Sequence, residues 1–200
     1  RLDALAQLAA DTPLHGISPF GDLKYGPDFT HLDYVNPDAP KGGRLVPQSP
    51  SAAYNQNFNT FDTLNMFVLR GNGPFGMSLT FSSLLASSSD ELGAAYAFVA
   101  QSVRMSADRL TWTFDIDPEA HFHDGSPITA SDIVFSLTIL RDQGHENLAS
   151  TLRQIEEIEA PDEATVRVRL APDSNISTVL TIGGCPIFSA AWWEGRDFGG

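Results

Sequence analysis

A single cysteine, Cys185, stands in 200 residues, so no disulfide can form within the chain. Stability must come from the core, and the redox compartment stays undecided. Long apolar runs are missing too. None approaches the roughly 20 residues a helix needs to span a bilayer, and stretches such as AAYAFVAQSV (residues 94–103) end at charges. The opening RLDALAQLAADTP lacks a basic segment followed by an unbroken apolar one, so no signal peptide is expected in it. Basic residues are few: 12 against 25 acidic, a formal net charge of −13. A surface that negative repels phosphodiester backbones and anionic lipid, which argues against nucleic acid and membrane surfaces as partners.

What is present is ordinary for a folded protein. Hydrophobic residues make up 42% of the chain, enough for a core in one or two domains. Residues 1–10 place Leu2, Leu5, Ala6 and Leu8 at helical spacing, and 11–40 are rich in turn formers. KGGRLVPQSP (41–50) predicts a turn and a short strand. AAYAFVAQSVRM (94–105) predicts a short helix, or a helix running into a strand. The β signal is strongest in SADRLTWTFDIDP, where Leu110, Trp112, Phe114 and Ile116 alternate with polar residues, and in DEATVRVRLAP, where Val166, Val168 and Leu170 do the same. These read as half-buried antiparallel strands, each preceded by a turn-favouring aspartate, Asp108 and Asp162.

Between them lies AHFHDGSPITASDIVFSLTIL (120–140). His121 and His123 would share one face of a strand, and HDGSP would make a tight turn with Gly125 at positive φ. Thr129 suits an N-cap and Asp132 the capping-box carboxylate. Ile133, Leu137 and Leu140 then form a core-facing stripe, widened by Val134. An HxH pair also opens some zinc sites, and a metal-dependent hydrolase using His121 and His123 is the alternative reading. Such a site needs a third ligand. His145-Glu146 begins like HExxH, but Ala149 stands where the second histidine belongs, and His15 and His31 fit no ligand pattern.

The run ADRLTWTFDIDPEAHFHDGSPITASDIVFSLTIL resembles the signature region of the family 5 extracellular solute-binding proteins, receptors that deliver peptides, nickel or other solutes to bacterial ABC importers. Leu110, Thr113, Phe114, Phe122, His123, Asp124, Gly125, Pro127, Thr129, Ala130, Asp132, Phe135 and Ser136 match that signature. HGISPFGDLKYGPDFTHLDYVNPDAPKGGRLV is similar to the start of the YejA-like, oligopeptide-associated branch, and IEEIEAPDEATVRVRLAPDSN to the family's next strand pair. The resemblance implies an α/β, periplasmic-binding-protein-like two-lobe fold of the large, cluster C type, with only part of the first lobe and its subdomain present. It divides the chain into a first-lobe segment (1–48), the subdomain carrying the signature (49–182) and a return into the first lobe (183–200), the second lobe lying outside this chain. In the family the histidine motif is structural.

The resemblance also implies a function: a periplasmic, monomeric receptor that captures an oligopeptide and hands it to an ABC importer's membrane permease. It implies no enzyme activity, no catalytic or metal-binding residues and no cofactor. A non-peptide solute (nickel complex, sugar or opine) on the same scaffold is the nearer alternative. The acidic surface is compatible with neutral or cationic peptides. GNGPFG (71–76) satisfies GxGxxG formally, but the chain after Pro74 is too short for the helix and strand of a dinucleotide site. In the resembled family this loop lies near the cleft, so Leu69, Arg70, Gly71, Asn72 and Phe75 are the expected ligand contacts, the glycines letting backbone approach a peptide. YNQNFNTFDTLN (54–65) reads as a loop anchored to the core by Phe58 and Phe61, or as part of a peptide groove. Cys185 has no patterned base beside it and reads as a small buried residue at a crossover. Trp192 and Trp193 fit core or cleft equally.

Overall fold

Period-two alternation organises the chain into two antiparallel sheets. The computed structural model describes residues 10–44, 46, 61–71, 73, 74 and 76–199. β1 (Gly16–Ile17), β2 (Leu85–Ser87) and β3 (Ala95–Ala97) form a small sheet in the order β1-β3-β2. β4 (Ala100–Met105), β5 (Thr111–Ile116), β6 (Ile155–Asp162) and β7 (Thr165–Leu170) form the larger one, in the order β4-β5-β7-β6. Its register sets Phe114 opposite Val166 and Trp112 opposite Val168. Both pairs are buried with Val103, Met105, Ile116 and Leu170. Each such side chain contributes about 1.5–3 kcal/mol by leaving water.

The sheet's other face is charged. Asp115 receives Arg104 and, at 2.6 Å, the Ser102 hydroxyl. Arg167 reaches Glu159 at 3.3 Å, and Arg169 lies 3.6 Å from Glu156 and 3.7 Å from Asp108. The aspartates expected at the turns serve there: Asp108 Oδ1 accepts the Leu110 N–H at 3.1 Å and Asp162 Oδ1 the Ala164 N–H at 2.9 Å. Residues 11–14 run along the outer edge of β4, Leu14 and Val103 exchanging two 2.9 Å backbone bonds.

α1 (Ala130–Gln143) packs on the buried face through Ile133, Leu137 and Leu140. The capping box forms, with Asp132 Oδ2 accepting the Thr129 N–H at 2.9 Å and the Thr129 hydroxyl at 2.8 Å. α2 (Glu146–Leu152) follows, then, after the β6–β7 hairpin, α3 (Ile176–Gly183), whose Asn175 cap accepts the Ser177 N–H at 2.8 Å. A Cβ on Gly183 would sit 2.6 Å from Leu85 Cδ1, so glycine is what lets α3 approach β2. The four-residue α4 (Ala190–Trp193) closes the described fold.

Residues 18–39, without regular structure after β1, form a strap over the β2–β3 turn. Tyr25 and Phe29 pack on Tyr96 with ring centroids 5.5 and 5.1 Å away. Lys24 Nζ joins Asp90 (2.5 Å) to Asp33 (2.7 Å), and the Tyr25 hydroxyl donates to Asp90 at 2.6 Å. Tyr34 Oη accepts the Ser89 N–H at 3.1 Å, a second tie ten residues on.

Two expectations are corrected. Residues 94–105 hold two strands and no helix. Val103 and Met105 face the core while Ser102 and Arg104 are less buried, a strand period that the alanine-rich start of the stretch disguised. Phe61 does not anchor its loop, being 56% exposed. The helix expected at 1–10 and Phe58 lie outside the described residues, save Ala10, which is in a turn; of the expected 41–50 strand, the described residues show no regular structure.

Candidate functional site

The HxH stretch resolves into a turn. His121 makes an isolated bridge with Pro127, and its Nδ1 lies 2.5 Å from the Glu119 carbonyl. Gly125 takes φ 85°. Asp124 Oδ1 accepts both the hydroxyl and the N–H of Ser126, at 2.7 and 2.9 Å, which holds its carboxyl below the usual aspartate range. Both histidines and Asp124 are exposed, and among the described residues no three metal-ligating side chains converge. Cys185 is buried: its Sγ donates to the Thr181 carbonyl at 3.2 Å, and burial pushes the thiol up to about 12, the opposite of an activated nucleophile.

The signature helix does something the local pattern did not reveal. Asp132 Oδ1 accepts the Ala190 N–H at 2.8 Å, and Ser136 Oγ accepts the Phe188 N–H at 2.8 Å while donating to the Asp132 carbonyl at 2.6 Å. Two buried side chains one helical turn apart therefore staple α1 to residues 188–190. From there an aromatic column runs across the molecule. Phe188 meets Phe67 at 5.2 Å, Phe81 at 5.5 Å and Phe198 at 5.3 Å; Phe198 meets Trp193 at 4.8 Å. The column brings the loop at 61–71 beside the 188–199 segment, a pairing secured by Asn65 Nδ2 donating to the Phe198 carbonyl at 2.7 Å. His145 N–H donates to the Phe67 carbonyl at 2.7 Å and fixes the same loop to the start of α2.

On this base the loop turns outward. Leu69, 76% exposed, Arg70 and Gly71 all face solvent; Asn72 and Phe75 lie outside the described residues. Gly71 has φ 83°, and a Cβ there would meet Asp62 Oδ1 and Thr63 Cγ2 at 2.8 Å. The loop is thus folded back on residues 62–63 in a conformation only glycine takes easily. Phe61, Leu64 and Leu79 are exposed beside these residues in the chain. The two tryptophans part company: Trp193 packs into the column, whereas Trp192 is 55% exposed and carries the Arg196 guanidinium 4.3 Å from its ring centre. A shallow depression on the sheet's charged face, lined by Thr111, Glu157, Glu159, Arg167 and Arg169, is a separate feature whose arginines are already ion-paired.

Residues 94–198 match the bacterial extracellular solute-binding proteins, family 5 Middle. Among curated relatives, the probable peptide-binding protein YejA of Agrobacterium fabrum is 33% identical over 180 residues, and the peptidoglycan-binding protein YepA of the same organism 35% over 188. Each alignment takes in 90% of this chain and 28% of the relative, so the chain spans little more than a quarter of the length of these proteins. Among solved structures, the binding protein MoaA of A. tumefaciens R10 in complex with mannopinic acid superposes with a TM-score of 0.51 at 27% identity, over 60% of this chain and 25% of that one. The α/β, periplasmic-binding-protein-like fold class is therefore the right one. The chain belongs to the family 5 bacterial extracellular solute-binding proteins, as a YejA-like member.

Proposed function

We propose that this chain is part of the periplasmic substrate-binding component of an ABC importer and that its solute is an oligopeptide. The observation that carries the reading is the 33% identity over 90% of the chain to a relative named as a probable peptide-binding protein. The loop is where we place the contact: Leu69, Arg70 and Gly71 are exposed and available to an extended peptide, with Asn72 and Phe75 the further contacts expected from the sequence. Residues 49–182 form the signature subdomain, and residues 1–48 and 183–200 belong to the lobe that bears it. The receptor acts as a monomer. It makes and breaks no bond; ligand stabilises a closed state by binding it better than the open one, and a membrane permease receives the solute.

A second reading keeps the scaffold and changes the solute. The relative named as peptidoglycan-binding and the neighbour holding mannopinic acid favour a non-peptide or partly peptide solute. Native mass spectrometry of protein purified without refolding or chelator separates the readings. A ladder of co-purified peptides is the expected result. One discrete non-peptide mass selects the second reading, and one stoichiometric zinc ion returns the case to a hydrolase built on His121 and His123.

A further inference from the structure

We propose that Trp192 and Arg196 form a subsite for a small solute's carboxylate, the indole holding the apolar group next to it. The proposal rests on the reading of the chain as part of a solute receptor, not on the solute being a peptide. Three tryptophans occupy the chain; Trp112 is buried and Trp193 half-buried, which leaves Trp192 as the one presented to water. Arg196 lies over its ring and donates from Nε to the Trp192 carbonyl at 2.6 Å. That bond fixes the guanidinium plane and leaves both Nη groups without a hydrogen-bond partner among the described residues.

Six of the chain's 12 basic residues are tied to acids. Lys24, Arg104, Arg141, Arg153, Arg167 and Arg169 all hold carboxylates. Arg196 holds none among the described residues, although Glu194 and Asp197 flank it in sequence. Asp197 Oδ1 is instead turned to the Gly199 N–H at 3.0 Å. Two neighbouring acids also favour a singly charged guest over a phosphate, since each extra negative charge adds repulsion. The guanidinium edge matches a carboxylate's two oxygens, and the exposed part of the indole that the guanidinium leaves uncovered offers apolar surface next to it.

The platform is already rigid. Asp132 holds Ala190, Ser136 holds Phe188, and Trp193, packed edge-on to Trp192 at 4.8 Å, is itself seated on Phe198. A guest would therefore order little of the protein on binding, which removes a main cost of association.

The test is a tryptophan-fluorescence titration of the 200-residue chain with N-acetyl-L-phenylalanine and with N-acetyl-L-phenylalaninamide, which differ only in the carboxylate. The acid should bind about tenfold more tightly than the amide, the advantage of a charge-assisted pair. Arg196→Gln should bring the acid to the amide's level, with an unchanged near-UV spectrum showing that the aromatic column is intact. Trp192→Phe should weaken both compounds together. Equal binding of acid and amide, a preference that survives Arg196→Gln, or no response to either compound would each overturn the subsite. The receptor reading fails separately, if protein purified from cells retains no solute.

Discussion

Ser136 sits where a helix meets a loop 52 residues away, and its hydroxyl is the partner of a buried backbone N–H. Replacing it with alanine removes the acceptor and leaves the Phe188 donor dry, a loss of about 1–3 kcal/mol. We expect a lower urea midpoint with an unchanged slope; an unaltered midpoint would mean that water replaces the hydroxyl. Gly71→Ala tests a different mechanism. At φ 83° and with Asp62 and Thr63 against the added methyl, alanine must push the loop away from residues 62–63. Amide exchange should speed up across 61–74 and remain unchanged in β5 and β7. Asp132 was legible as a capping residue because Thr129 stands three positions before it. Its second partner, Ala190, was not, because 58 residues separate them and no local period joins them.

At the scale of elements, the strap at 18–39 is held by charge more than by backbone pairing. The Lys24 ammonium, then the Ser88 hydroxyl, then the Tyr25 hydroxyl hold the Asp90 carboxyl well below its ordinary value. A depressed carboxyl stabilises the fold above the unfolded-state value, about 3.9, and loses that contribution as pH falls through the folded value. Lys24 is raised, by Asp33 first and then Asp90, so its share persists until pH rises past the ordinary lysine range. The strap should therefore keep constant amide protection from about pH 5 to 9 and lose it in acid before the four-stranded sheet does. Hydrogen exchange at Tyr25 and Asp33, corrected for intrinsic rates, measures this. Asp90→Asn should give a strap already loose at pH 7; if its protection is unchanged, the ring packing of Tyr25, Phe29 and Tyr96 is sufficient alone. Little of this was legible, since a strap without periodicity declares itself only through its partners. The strands at 111–116 and 165–170 were legible because every second residue is buried, whereas 94–105 misled because small alanines suit either geometry.

For the whole molecule, the net charge of −13 sets a repulsion that ordinary salt should relieve. The screening length falls from about 30 Å at 0.01 M to about 8 Å at 0.15 M, short enough to separate distant acids while sparing close pairs such as Arg104–Asp115. The thermal midpoint should rise over that range by calorimetry; a fall would show that the ion pairs outweigh the repulsion. The family was legible because its signature lies in one unbroken run, and the fold class came with it. The subsite proposed at Trp192 and Arg196 was not, since Trp192 gains its exposure, and Arg196 its place over the ring, only once the column from Phe67 to Trp193 is assembled.

The two edges of the larger sheet end differently, and this bears on how the chain behaves in a crowd. Residues 11–14 occupy the β4 side, whereas β6, beside which no further strand pairs among the described residues, carries Glu156, Glu157, Glu159 and Pro161 and shifts register twice against β7. A neighbouring molecule seeking to add a strand there meets like charge, a missing N–H and a bent template. Among the described residues, the sheet therefore resembles a polymer with a capped end, and this edge is a poor seed for adding strands from other molecules.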